Sequence, residues 1–411
     1  MEQLNVLIFS ASFGAGHVRA AEAIMEELRI KEPNVKITHL DFGAFLSKTF
    51  NSFIKSTYIE LIKYTPKLWG KFYYRTSKIP PDSLFQRFLN GLGRREFLKL
   101  IKSLKPDLVI CTYPTVAGVL AQQRLKGILN VPLVTVVTDY AVHSQWIHSG
   151  VDLYIVGCES VYDGLVARGI HPSSIRITGI PVSPKFEWTL DRQEILKKLH
   201  LKPHLPTVLV MGGAYGVLGG AKWICKFLVE SAFPVQTMIV CGQDEKLYKA
   251  LDPLMVNGKN PAARFGFVKN VEELMSAADM IITKAGGLTV SEALTKRVPL
   301  VIFRPIPGQE EENARYLEDI GAGRTAKNEE ELEVIIFALL KHSKDLLRMR
   351  RAAELAVPGR AAELAVQSML QLLEKPQNTQ TIQNTQTIQN TQKIATNVGT
   401  RRERYILRRK A

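Results

Sequence analysis

The chain has 411 residues, 46% of them hydrophobic, and a formal net charge of +15. That length suits two domains rather than one, with enough apolar content to bury large cores. No apolar run approaches the ~20 residues of a spanning helix, no basic leader precedes an apolar stretch, and Cys111, Cys158, Cys225 and Cys241 match no metal or redox spacing. A membrane-spanning, secreted or disulfide-stapled protein is therefore not expected. The expectation is a cytoplasmic chain, soluble or peripheral, with buried reduced cysteines.

The first predicted element is a strand in "LNVLIF". It runs into "SASFGAGHVRAAEAI" (10–24), where Gly14 and Gly16 turn the chain and His17 sits in or just before the first turn of a helix. Such turns often cradle a phosphate; this one also carries a titratable ring. After the strand "VKITHL", residues 42–105 break the pattern. They hold 13 Lys/Arg against three acidic residues, interleaved with 13 aromatics including Phe50, Phe53, Trp69, Phe72, Tyr73 and Tyr74. The stretch is too long for a simple loop and should carry helices of its own. Most of its aromatics are expected to pack inward. The rest, with the bases, are expected to meet an anionic membrane.

Strands "DLVICT", "PLVTVVT", "LYIVG" and "IRITG" follow, with a helix over 115–126. Within "VVTDYAVHSQW" (136–146), Asp139 ends a strand and His143 comes four residues later, on the same face if the segment is helical. A local Asp–His bond that fixes the loop is the plainer alternative. "GIPVSPKFEW" (179–188), with two prolines, reads as a linker.

A second series then begins: "TVLVMGG", "QTMIVCG", "ARFGFV", "DMIITKAGG" and "VPLVIF". "MGGAYGVLGG" (211–220), with Gly212 and Gly213, opens a helix at Ala221; a flexible hinge is the alternative. The main chain near Phe267 and Val268 is placed to read a base edge. In "DMIITKAGGLTVSEAL" (279–294) a strand ends at Lys284, Gly286 and Gly287 turn the chain, and a helix opens near Thr289. Free N–H groups there attract phosphate, the glycines permit close approach, and Glu292 in the first turn suits two ribose hydroxyls. An ordinary strand–turn–helix is the alternative. "FRPIPGQEEENARYL" (303–317) offers Gln309, Glu310, Glu311 and Asn313, the donors and acceptors that read sugar hydroxyls; a surface loop capping the next helix is the alternative.

Alternating strands and helices make parallel sheets covered on both faces. Two series imply an α/β protein of two Rossmann-like, doubly wound domains with a cleft between them. The expected bounds are 1–183, 184–355, a helix over 356–374 that returns to the first domain, and a disordered basic tail over 375–411 built on "QNTQTI" repeats. Ligands of such sheets bind beyond the carboxyl ends of the strands, where every motif above falls.

Together "SASFGAGH", "VVTDYAVHSQW", "VGCES…SIRITGIPV", "GFVKNVEELMSAADMIITKAGGLTVSEAL" and "PIPGQEEENA" resemble the processive diacylglycerol β-glucosyltransferases. The monogalactosyldiacylglycerol synthases and the GlcNAc transferase of lipid II are relatives. The resemblance covers about residues 4–370, most specifically 266–316. It implies a GT-B fold, a UDP-sugar in the C-terminal domain, a lipid acceptor in the N-terminal one, and inversion without a metal or other cofactor. The chain has no Asp-x-Asp, in keeping with the last point. Departing UDP would be stabilised by amides at 286–289 with Lys284.

The histidine matching His17 is the favoured base in the galactolipid synthases, and a helix N-terminus keeps such a ring neutral; the alternative is that His17 only positions acceptor or diphosphate. Asp139 and His143 would orient the acceptor or assist proton transfer, with Trp146 against glycerol or an acyl chain. The expected reaction moves a hexose, foremost glucose, from UDP-sugar to the 3-hydroxyl of 1,2-diacylglycerol on the inner face of the cell membrane. UDP-galactose, another lipid acceptor, and a nucleotide-sugar-sensing regulator remain alternatives. Nucleic acid is not an expected partner, because no helix-turn-helix, finger or RNP motif accompanies the basic charge.

Overall fold

The computed structural model describes residues 3–12, 14–45, 65–80, 83, 86, 91, 93–212 and 218–374. Phe50, Phe53, Gly213 and the repeat-bearing tail lie outside the described residues.

The N-terminal half folds as β1 (Asn5–Ser10), α1 (Ala15–Lys31), β2 (Lys36–Asp41), α2 (Pro66–Thr76), α3 (Arg94–Leu104), β3 (Leu108–Cys111), α4 (Pro114–Leu125), β4 (Leu133–Val136), β5 (Leu153–Val156), α5 (Glu159–Val166) and β6 (Ile175–Ile177). The C-terminal half continues with α6 (Arg192–Lys198), β7 (Thr207–Met211), α7 (Ala221–Glu230), β8 (Gln236–Val240), α8 (Glu245–Ala250), α9 (Asp252–Asn257), β9 (Ala262–Phe265), α10 (Val271–Ala277) and β10 (Met280–Thr283). It ends with α11 (Gly287–Thr295), β11 (Leu300–Phe303), α12 (Gln309–Asp319), β12 (Gly323–Ala326), α13 (Glu329–Lys341), α14 (Ser343–Ala356) and α15 (Ala361–Glu374).

Two six-stranded parallel sheets result, ordered β2-β1-β3-β4-β5-β6 and β12-β11-β10-β7-β8-β9. Their inner strands are unbroken aliphatic runs, such as "LVIC" and "MIIT", buried along their whole length. Helices on both faces leave such strands no polar side. β12, "GRTA", is not among the expected strands. It forms the sheet edge, where Arg324 stays exposed and Thr325 only partly buried.

The chain breaks between α14 and α15 at Pro358 and Gly359, and α15 lies on the first sheet rather than the second. Ala365, Val366 and Met369 are buried there against Val6, Ile8, Ile24 and Ile155. Lys31 meets Glu363 at 2.7 Å on the rim of that contact.

Candidate active site

Each sheet has one place where strand order reverses. In the first it lies between β1 and β3, in the second between β7 and β10. Helices leaving adjacent strands there diverge to opposite faces and open a crevice. The turn at Gly14 and Gly16 stands at the first reversal, the turn at Gly286 and Gly287 at the second. Gly14 and Gly286 are the N-cap residues of α1 and α11. Neither helix has a side-chain cap or an acidic residue in its first turn. Their leading N–H groups therefore have no side chain to meet, and the dipole leaves both ends positive.

These two ends face each other. A Cβ on Gly16 would stand 3.8 Å from the Cβ of Leu288 in α11, whereas one on Gly14 or Gly286 would meet nothing within 4 Å. Gly287 differs from expectation: a Cβ there would lie 2.1 Å from the Thr138 carbonyl oxygen. Its missing side chain admits the main chain of the first domain. Of the two glycines, only Gly286 opens onto free space.

His17 lies in the first turn of α1 between these ends. The Thr112 hydroxyl at the end of β3 donates to its main-chain oxygen at 2.8 Å, and Thr138 Oγ1 is 3.0 Å from Nδ1. Tyr113 stands edge-on to the ring at 5.3 Å. Burial lowers the pKa to about 4, only partly opposed by the Thr112 main chain. The ring is neutral at pH 7, as expected from its helix, but desolvation is the larger cause.

Asp139 is buried beside it and accepts hydrogen bonds from Gln309 Nε2 and the Trp146 indole. Burial raises its carboxyl to about 6, against those two bonds. Residues 137–143 are not helical, so Asp139 and His143 do not share a helix face. His143 instead accepts the Gln145 N–H at Nδ1 (3.2 Å), which leaves Nε2 to donate to Thr76 Oγ1 at 3.1 Å. Burial lowers its pKa to about 4. It anchors α2. Trp146 is only 2% exposed, its indole spent on Asp139, so the expected contact with glycerol or an acyl chain finds no open face.

On the opposite wall, Asn313 is fully buried. Its Oδ1 accepts the Tyr140 N–H at 2.9 Å and its Nδ2 donates to the Ala285 carbonyl at 2.9 Å. Expected to read sugar, it instead ties the first domain to the 284–287 turn. Tyr140 reinforces the tie through Ser291 (2.8 Å) and a stacked contact with Tyr316 (4.3 Å). Glu310 accepts the Ile306 N–H and lies 3.6 Å from Lys284 Nζ. α11 opens at Gly287, two residues before the expected start, which moves Glu292 into the second turn and Thr289 to the third position. Glu292 is partly buried, and desolvation raises its carboxyl to about 7, opposed by Arg19. Phe267 is exposed on the loop after β9, Val268 packs on the core, and Gly212 leaves the end of β7. Thr112, Thr138, Tyr140 and Ser291 were missed. The first three lie at or just beyond strand ends, and that position was the available signal.

Residues 17–182 match the monogalactosyldiacylglycerol (MGDG) synthase family, and residues 207–394 match the glycosyltransferase family 28 C-terminal domain. The processive diacylglycerol beta-glucosyltransferase of Bacillus licheniformis is 30% identical over 371 residues, 90% of this chain and 95% of that protein. Its Bacillus cereus counterpart is 34% identical over 368 residues, 89% and 93% of the two chains. The chain belongs to this glycosyltransferase family.

The fold agrees with that of two solved structures. Acinetobacter baumannii MurG superposes with a TM-score of 0.59 at 17% identity, over 90% of this chain and 99% of MurG. Medicago truncatula UGT71G1, solved with UDP-glucose, gives 0.58 at 15% over 91% and 99%. The architecture is GT-B. In this family member the two sequence matches divide along the sheets: the first begins at His17 itself and the second at Thr207, the first residue of β7.

Proposed function

We propose that the protein transfers glucose from a UDP-sugar to 1,2-diacylglycerol with inversion, and repeats the transfer on its own product, while held at a membrane surface. One observation carries this reading: two uncapped helix N-termini face each other across the reversal points of both sheets, with a neutral histidine between them.

The departing diphosphate lies at the N-terminus of α11, where main-chain N–H groups and Lys284 hold its developing charge without reorganising. Glu292 takes the ribose hydroxyls, the Phe267–Val268 main chain the base, and Gln309 with Glu310 the hexose. With Nδ1–H donated to Thr138, His17 Nε2 accepts the proton of the attacking hydroxyl as the glycosidic bond forms on the face opposite UDP. A ring with a pKa near 4 is a weak base alone, but a bound diphosphate, two negative charges close by, raises it toward the working pH. Gly14 keeps the acceptor side open, Gly16 lies against α11, and Asp139 orients the loop beside it.

Support for the membrane surface comes from α2. Leu68 and Phe72 are 57% and 50% exposed, one turn apart, among exposed Lys67, Lys71 and Arg75. That face suits an anionic bilayer, from which the acceptor must be drawn. No helix among the described residues is long and apolar enough to cross a membrane.

The test is direct. The protein is incubated with UDP-glucose or UDP-galactose and diacylglycerol in anionic micelles, and lipid products are weighed by mass spectrometry. Mono- and diglucosyl-diacylglycerol are expected from UDP-glucose. No glycolipid from either donor overturns the reading.

A further inference from the structure

α2 belongs to the insertion on the first domain, yet its buried face is packed against the second. A Cβ on Gly70 would stand 2.4 Å from the Pro307 Cβ, and one on Gly308 would stand 2.8 Å from Tyr73 Cγ. The Tyr74 hydroxyl lies 3.1 Å from Glu311 Oε2 and 3.0 Å from Glu312 Oε1. Desolvation and these carboxylates keep the phenol protonated, so it donates. The far end of the helix is held by the acceptor-side loop: Ser144 Oγ donates to the Thr76 carbonyl at 2.7 Å, and His143 bonds Thr76 Oγ1. One short helix thus bridges the 143–144 loop and the first turn of α12.

We propose that Tyr74 is a positioning residue for the donor sugar: it fixes the first turn of α12, through Glu311 and Glu312, so that Gln309 and Glu310 are aimed at the hexose. This rests on the reading that Gln309 and Glu310 contact the sugar. The phenol touches no substrate; it acts through the two carboxylates. The dependence has its physical basis at position 308. Gly308 has φ 100°, a conformation open chiefly to glycine, and the Glu310 and Glu311 carboxylates brace the turn through the Ile306 and Gly308 N–H groups, so what holds the Glu311 carboxylate also holds the turn. Because the same helix presents Leu68 and Phe72 outward, the acceptor surface and the sugar end share one rigid element.

The experiment compares Tyr74→Phe and Gln309→Ala with the full-length wild-type chain on vesicles of phosphatidylglycerol and diacylglycerol. KM and kcat are measured for UDP-glucose, and affinity for UDP alone is measured by calorimetry. Tyr74→Phe keeps the ring and its packing and removes only the hydroxyl, with the hydrogen it shares between Glu311 and Glu312 and the bond it accepts from Arg315. KM for UDP-glucose is expected to rise about tenfold with kcat changed less, while UDP affinity stays within about twofold, since UDP is held at α11. A merely structural role would lower kcat through loss of active protein and leave KM alone; that result overturns the proposal. If Gln309→Ala raises KM and Tyr74→Phe does not, the proposal falls and the sugar-contact reading stands. If Gln309→Ala leaves KM unchanged, that reading falls and takes the proposal with it.

Discussion

At the scale of single residues, the two buried titratable groups beside the crevice are pushed in directions that make them separable. Burial favours the neutral form of each, so the His17 pKa goes down to about 4 and that of Asp139 goes up to about 6. Replacing His17 by Ala is expected to lower kcat by about 10²–10⁴, the usual worth of a general base, with UDP-glucose affinity unchanged in a calorimetric titration. Near-normal turnover in that variant would leave the imidazole no catalytic task. Asp139 gives a pH signature instead. As pH falls through about 6 its carboxylate takes a proton and ceases to be a full acceptor for Gln309 and Trp146. The profile of kcat/KM should therefore show an acid limb near pH 6 that Asp139→Asn abolishes, while any His17 limb lies lower. The stability effect has the opposite sense. A carboxyl raised on folding stabilises the folded state fully below its ordinary value of 3.8, and that gain is lost as pH rises through 6. Asp139→Asn should consequently raise the unfolding temperature at pH 8 more than at pH 4.

At the scale of elements, the decisive contact is the first turn of α11 against the end of β4. An added methyl at residue 287 would sit 2.1 Å from the Thr138 carbonyl, and overpacking of this kind costs about 1–3 kcal/mol. Each sheet has one core of its own and shares a third that runs through both domains, so the strain is relieved at that shared core by a shift of one domain against the other. Gly287→Ala is expected to keep UDP binding, lose at least tenfold in turnover, and increase the radius of gyration in small-angle scattering. An unchanged radius with full activity would refute the close approach. How well the sequence announced such features depended on range. Apolar runs declared β1 to β11, most openly the central strands such as "LVIC" and "MIIT", because burial on both faces needs no partner to be named. "GRTA" stayed hidden because an edge strand keeps polar side chains. The supposed pairing of Asp139 with His143 assumed a helical spacing over a stretch that is a loop. The turn at Gly286 and Gly287 was legible as a glycine turn before a helix. What stands over Gly287 was not, since Thr138 lies far back in the chain and no local pattern links the two. The same holds for Tyr140 and Asn313, 173 residues apart.

At the scale of the molecule, charge and apolar exposure meet on α2. The body carrying the ligand motifs is close to neutral, while the insertion over 42–105 has 13 basic residues against three acidic ones. The sequence showed that asymmetry but could not say which aromatics face outward. The fold answers for α2: Tyr73 and Tyr74 turn toward the second domain, whereas Phe72, with Leu68, turns to solvent beside Lys67, Lys71 and Arg75. An apolar pair rimmed by bases gains in two ways at an anionic bilayer, by removing apolar area from water and by attraction of about 1 kcal/mol per base near the surface. The two terms respond to different variables. Raising salt roughly tenfold, from about 0.05 to 0.5 M, shortens the Debye length and weakens the charge term only. The double change Leu68→Ser, Phe72→Ser removes about 2 kcal/mol of the apolar term, worth roughly 30-fold in partitioning. Sedimentation with phosphatidylglycerol vesicles should therefore show binding that falls with salt in the wild type and falls further, with the same salt slope, in the variant. UDP affinity in solution should not change, because that face of α2 points away from the crevice. Binding that ignores both salt and the double change would mean that this surface does not meet the membrane, and that the acceptor reaches His17 by another route.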